Sequence, residues 1–135
     1  MTVVTGHCLC GVCRYEHAGP LEPGGICYCE DCRRVTGSAF GVSFRADKAN
    51  LKRFGLTMAY PKIADSGARL TRHFCKFCGS PMYTLSDAHP DSVYVKAGTL
   101  NDPNLLTIDR QMWLCSRVSW SQPPPDIQSF DKGRT

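Results

Sequence analysis

No run of this sequence is long and apolar enough to cross a membrane, which excludes a membrane-spanning helix. Met1-Thr2-Val3-Val4-Thr5-Gly6-His7 leads into the first cysteine without the apolar segment of a secretory signal, so a cytoplasmic location is expected. An excess of one charge sign is also missing. Sixteen basic residues stand against twelve acidic ones for a net +4, and apart from Arg33-Arg34 and the pair Arg69 and Arg72 the basic residues are scattered. Without a basic stripe interleaved with aromatics, no nucleic-acid partner is expected. Long stretches with a 3.6-residue apolar period are absent, as are internal repeats and low-complexity segments. A chain of this length reads as a single domain over residues 1–135.

Cysteine, by contrast, is abundant. There are nine, and most stand in tight groups: Cys8-Leu9-Cys10 with Cys13 behind it, Cys27-Tyr28-Cys29-Glu30-Asp31-Cys32, and Cys75-Lys76-Phe77-Cys78. An odd number at C-x-C and C-x-x-C spacing suits metal chelation better than disulfides, because cysteines so close in sequence are poorly placed to bridge one another. Thiolates kept for metal imply a reducing compartment.

Cys8 and Cys10 with Cys75 and Cys78 supply four thiolates, the closed tetrahedral set of a structural zinc. Such a site closes a long loop, where a metal clip helps a small domain most. Gly11 and Gly79 follow the knuckle cysteines, where the turn often needs positive φ. Cys13 is read as a small buried residue opening a strand, with ligation as the alternative. Cys27, Cys29 and Cys32 offer three thiolates and leave one position open, the arrangement of a catalytic zinc. The other reading of this group is a second structural zinc completed by His7, His17, His73, His89 or Cys115. Cys115, beside Trp113, is expected to be a buried inert thiol.

The rest of the chain predicts a mostly antiparallel β domain with zinc knuckles in its turns and few short helices. Strands are expected over Val12–His17, Ala39–Arg45, Leu70–Phe74, Met82–Leu85, Ser92–Gly98 and Gln111–Leu114. In Ser92–Gly98, Val93, Val95 and Ala97 alternate with Tyr94 and Lys96. A helix is expected from Glu30 to Thr36, ended by Gly37, and a turn over Asp47–Leu51 capped by Asp47. Gln122-Pro123-Pro124-Pro125 must be extended, and a flexible tail is expected from about residue 123, its last residues Asp131–Thr135 mobile.

These residues carry a resemblance. Gly6-His7-Cys8-Leu9-Cys10-Gly11, Cys27-x-Cys29-x-x-Cys32-Arg33-Arg34, Gly37-Ser38-Ala39-Phe40 and Phe74-Cys75-x-x-Cys78-Gly79-Ser80-Pro81 resemble the glutathione-dependent formaldehyde-activating enzyme family, which includes centromere protein V. Gly98-Thr99-Leu100-Asn101-Asp102-Pro103 and the Trp113–Trp120 segment are similar to further stretches of that family. The resemblance implies a β-sandwich-like zinc fold with two ions. Cys8, Cys10, Cys75 and Cys78 hold the structural one, and Cys27, Cys29 and Cys32 the catalytic one. It implies a carbon–sulfur lyase joining formaldehyde and glutathione reversibly as S-hydroxymethylglutathione, with a small aldehyde or thiol as partner. Arg33, with Arg34, is the candidate charge for a substrate carboxylate. Tyr28, Glu30 and Asp31 are the candidates for proton transfer. The chain departs from the family pattern at Tyr28 and Gln111, where histidine is common, and at Cys13, where an aliphatic residue is usual. Cyclisation or dehydration of a metabolite is the divergent alternative, and a zinc-knuckle binding module the non-catalytic one.

Overall fold

The computed structural model describes residues 2–133. Strands β1 (Val3–His7), β2 (Arg14–Ala18) and β5 (Leu51–Phe54) form an antiparallel three-stranded sheet in the order β1-β2-β5. The larger sheet comprises β3 (Gly24–Cys27), β4 (Gly41–Asp47), β6 (Thr57–Ile63), β7 (Arg69–Cys75), β8 (Pro81–Ser86), β9 (Ser92–Lys96), β10 (Ile108–Met112) and β11 (Gln128–Ser129). Its order is β11-β10-β3-β4-β9-β8-β7-β6. One α-helix among the described residues, α1 (Glu30–Thr36), links β3 to β4. The described helices include none long and apolar enough to cross a membrane.

Alternation along the strands builds the two-layer core. Phe44 and Ala46 of β4 and Val93 and Val95 of β9 point inward and meet Val4, Tyr15 and Leu51 of the small sheet. Ser43, Arg45, Tyr94 and Lys96 therefore stand on the opposite face of the large sheet, all only half-buried. The expected sandwich-like β domain is what forms. One qualification concerns direction: β10 runs parallel to both β3 and β11, because the chain returns to the far side of β3 only after β9.

Local signals place α1 as the sequence predicts. Acidic Glu30 and Asp31 occupy its first turn, and Gly37 at φ 66° donates its amide to the Arg33 carbonyl. The strand expected from Val12 begins at Arg14 because Cys8 to Cys13 is a closed turn, with Cys8 N–H donating to the Cys13 carbonyl at 2.8 Å. Asp47 precedes a 3₁₀ turn (Lys48–Asn50) without capping it through its side chain. Its carboxylate instead pairs with Arg45 at 2.7 Å.

The segment expected as a flexible tail is tied down through Lys132. Phe130 N–H donates to the Gln111 carbonyl at 2.9 Å, and the amides of Trp113, Leu114 and Cys115 donate to the carbonyls of Lys132, Phe130 and Asp131. Of the residues expected to be mobile, Arg134 and Thr135 lie outside the described residues.

Candidate metal centres

The first thiol group joins the two sheets at one end of the core. β1 delivers Cys8, and the turn behind it uses Gly11 at φ 84° to bring Cys13 back against it. β7 delivers Cys75, and Gly79 at φ 78° donates its amide to the Cys75 carbonyl at 2.9 Å. Cys8, Cys10, Cys75 and Cys78 place their sulfurs within 4.8 Å of one another. The Cys8–Cys10 and Cys10–Cys75 sulfurs are 3.6 and 3.7 Å apart. A tetrahedron with zinc–sulfur bonds of about 2.3 Å has edges of about 3.8 Å, so this set fits a zinc-sized ion.

Backbone amides and a hydroxyl lie against three of these four sulfurs. Phe77 and Cys78 amides point at the Cys75 sulfur at 3.4 and 3.5 Å, and the Cys13 amide at the Cys8 sulfur at 3.3 Å. The Ser80 hydroxyl lies 3.2 Å from the Cys78 sulfur and accepts the Leu9 amide, fastening one knuckle to the other. Ser80 is the main cause holding the Cys78 thiol down at about 5. Cys13 lies outside the group. Its thiol donates to the Leu56 carbonyl at 3.1 Å, and burial pushes it up to about 12.

The second group lies on the other face of the large sheet. β3 ends at Cys27, Cys29 is the N-cap of α1, and Cys32 sits one turn along, its amide 3.3 Å from the Cys29 sulfur. Cys27 stands opposite Gly41 of β4, and a side chain at 41 would press on Cys32, its Cβ 3.3 Å from the Cys32 Cβ. Glycine there lets the helix settle onto the sheet and bring all three sulfurs within 4.8 Å. Crowding splits their protons. Cys29 is held far below the ordinary thiol range, first by hydrogen bonding from Cys27 and then from Cys32, while Cys27 is driven far above it by the same sharing. A bound cation is what would let all three ionise together.

Among the described residues no histidine joins this group, nor does Cys115. Cys115 is exposed and not buried as expected, because Trp113 adopts a left-handed φ of 61° and turns Leu114–Ser116 outward. His7, His17 and His73 bond to the Cys8 carbonyl, the Gly19 carbonyl and the Thr57 hydroxyl.

Beside Cys29 opens a groove of about 330 Å³ bounded by Glu30, Asp31, Lys62, Asp65 and Trp113. Asp31 bonds Lys62 at 2.6 Å and lies 4.0 Å from Arg72, so the β6–β7 hairpin is pinned to α1 across the groove. Glu30 pairs with Arg34 along the helix at 2.9 Å. Arg33, half-buried on α1, is in no ion pair among the described residues.

Tyr28 does not face this groove as a free acid. It is buried, and its hydroxyl donates to Gln111 Oε1 at 3.0 Å. Gln111 Nε2 donates in turn to the Pro124 carbonyl at 2.8 Å and to Ser129 Oγ at 2.9 Å. The two positions that depart from the resembled pattern are thus each other's partners, tying the Cys27–Cys29 turn to the C-terminal segment. That placement suits positioning and not the expected proton transfer. Tyr28→Phe should leave Gln111 Oε1 buried without a donor and cost about 1–3 kcal/mol in urea unfolding, with an unchanged m-value. A stability unchanged within error would remove this role.

Sequence reasoning missed Lys62 and Arg72, which reach Asp31 across the groove, and Lys96, which shares the outer sheet face through strand register and not through sequence neighbours. It named Trp113 only as part of a segment. Trp113 is the one non-glycine residue of positive φ among those described, an outlier of the kind found at functional sites.

A small β-sandwich carrying two clusters of cysteines, each able to hold a metal ion, defines the class of protein. The chain belongs to the glutathione-dependent formaldehyde-activating enzyme family, whose profile matches residues 3–116. A Halomonas elongata protein named "Putative glutathione-dependent formaldehyde-activating enzyme" is 28% identical over 107 residues, covering 73% of this chain. The chain spans 66% of that relative, just under two thirds of its length. A crystal structure of a Rhodobacter sphaeroides protein superposes with a TM-score of 0.56 at 20% identity, over 72% of this chain and 87% of the other, a likeness of fold.

Proposed function

We propose that the chain is a zinc-dependent carbon–sulfur lyase acting on a small aldehyde–thiol adduct of the S-hydroxymethylglutathione type. The observation that carries this reading is the contrast between the two groups: four thiols packed at the edge of the core, and three on the outer face beside a groove, with no fourth protein ligand among the described residues. The first is assigned to a structural zinc and the second to a catalytic one. Zinc held there would supply Lewis-acid stabilisation of negative charge on a substrate sulfur or oxygen.

The chain's own residues frame the reaction. In the cleavage direction the adduct's carbon–sulfur bond breaks, the electron pair stays on sulfur, and the hydroxyl proton leaves as the carbonyl forms. Asp31, fixed by Lys62 at the groove wall, is the carboxylate placed to take that proton. Trp113 lines the same groove and gives it an apolar surface. Arg33 supplies positive charge for a substrate carboxylate. Thiols that must stay reduced place the enzyme in a reducing compartment such as the cytoplasm.

Elemental analysis after zinc is added back should find two ions per chain, one for each thiol group. With cobalt in the three-cysteine site, millimolar glutathione should shift its ligand-field bands, and S-hydroxymethylglutathione should be turned over. One ion per chain, with Cys27, Cys29 and Cys32 all alkylated in the native protein, would sink the two-site reading. Unmoved bands would remove glutathione.

A further inference from the structure

Lys96 is a cation to which no role has so far been assigned. It ends β9 on the outer face of the large sheet, opposite Ser43 of β4. Two residues along β4 on the same face is Gly41, which faces Cys27 and touches Cys32. Register therefore sets Lys96 diagonally across from the three-cysteine group, within reach of a long side chain.

Most cations around the site are already engaged. Arg34 is held by Glu30, Lys62 and Arg72 by Asp31, Arg45 by Glu22 and Asp47, and Arg110 by Asp109. Among the described residues no carboxylate lies within ion-pair distance of Lys96, although it is half-buried. The surroundings of the three sulfurs are also polarised. On the Cys29 side the groove presents Glu30, Asp31 and Asp65 against the single cation Lys62. On the Cys32 side stands Lys96. The groove cation is already committed to Asp31, so a ligand with an acidic end finds no free cation lining the groove and an uncommitted ammonium in the other direction.

We propose that Lys96 is the specificity residue of the three-cysteine site, anchoring a carboxylate of the ligand on the Cys32 side and selecting carboxylated small thiols and their aldehyde adducts over neutral ones. This rests on the reading of that site as open to a fourth ligand. The carboxylate goes to Lys96, the donor atom to the cysteine group, and the uncharged remainder to the groove beside Trp113.

The test uses full-length protein with cobalt in the three-cysteine site, titrated with 3-mercaptopropionate and with its neutral amide, 3-mercaptopropionamide, while the ligand-field bands are followed. Wild type should bind the acid more tightly than the amide, and Lys96→Met should reduce that preference by roughly tenfold or more, the scale of one charge-assisted hydrogen bond. Lys96→Arg should keep it. Methionine preserves most of the aliphatic stem, and metal content reports that the site is intact. A preference that survives in Lys96→Met, or vanishes only in Arg33→Met, overturns the assignment and leaves the open site standing. Equal weakening of both thiols in Lys96→Met also overturns it, since Lys96 would then only balance the thiolate charge. If neither thiol moves the wild-type bands, the open-site reading falls and the proposal falls with it.

Discussion

Cys75→Ser is expected to abolish the cooperative fold. Cys75 is fully buried, its sulfur accepts two backbone amides, and it lies where β7 ends against the knuckle that follows β1. The four-cysteine group is thus a clasp between the two sheets, and its ligands come from segments 65 residues apart at Cys10 and Cys75. Structural zinc in small domains contributes about 10–16 kcal/mol of apparent binding free energy, as large as the roughly 5–15 kcal/mol by which a whole domain is stable. A serine hydroxyl is not ionised at neutral pH and cannot replace the thiolate, so the ion and the clasp are lost together. Circular dichroism should show no cooperative thermal transition, and the variant should aggregate on concentration. Cys78→Ser should behave alike, whereas Cys115→Ser, at an exposed sulfur outside both groups, should melt as wild type does. A Cys75→Ser protein that melts cooperatively within a few degrees of wild type would show that the fold does not depend on this group.

The difference between what could be read in advance and what could not follows the range of the interactions. The cysteine groups were legible because knuckle spacing is local, and so was α1, whose Gly37 cap and acidic first turn lie within a few residues. Strands β4 and β9 announced themselves through alternation, since one face of each meets the core. By contrast, β3 contains Gly24-Gly25 and β6 contains Pro61, residues that read as turn. Gly24 is in a strand because a Cβ there would come within 3.0 Å of the Ser43 carbonyl, a constraint set by the neighbouring strand. Pro61 is tolerated because β6 is the last strand of its sheet. The same logic hid half of the site. Lys62 and Arg72 reach Asp31, Trp113 lines the groove beside Cys29, and Lys96 comes onto the same sheet face only after an eight-stranded register has been chosen, and nothing within a few residues of any of them signals it.

Cys32→Ser should have the opposite phenotype to Cys75→Ser: a folded protein that has lost one metal and its activity. The physical ground is what α1 contributes to the core. None of its residues is buried, and its seat on the sheet is the contact of Cys32 and Thr36 with Gly41. Replacing one sulfur by oxygen there leaves the two-sheet core of Phe44, Val93, Val95 and Tyr15 untouched, so the melting temperature should move by only a few degrees. The three-thiol set falls to two, too few to hold an ion against a millimolar competing thiol. With the Lewis acid gone, several kcal/mol of charge stabilisation go with it, and turnover of the aldehyde–thiol adduct should fall by roughly 10³-fold or more. Cys29→Ser should match it, with the helix cap kept, since a serine oxygen can accept the Cys32 amide in place of the sulfur. Metal content, a thermal melt and an activity assay on the same preparation separate the cases. If Cys32→Ser unfolds as Cys75→Ser does, both groups serve the fold and the lyase reading fails. If it stays folded with one ion bound and full activity, the three-cysteine group is not where the chemistry happens.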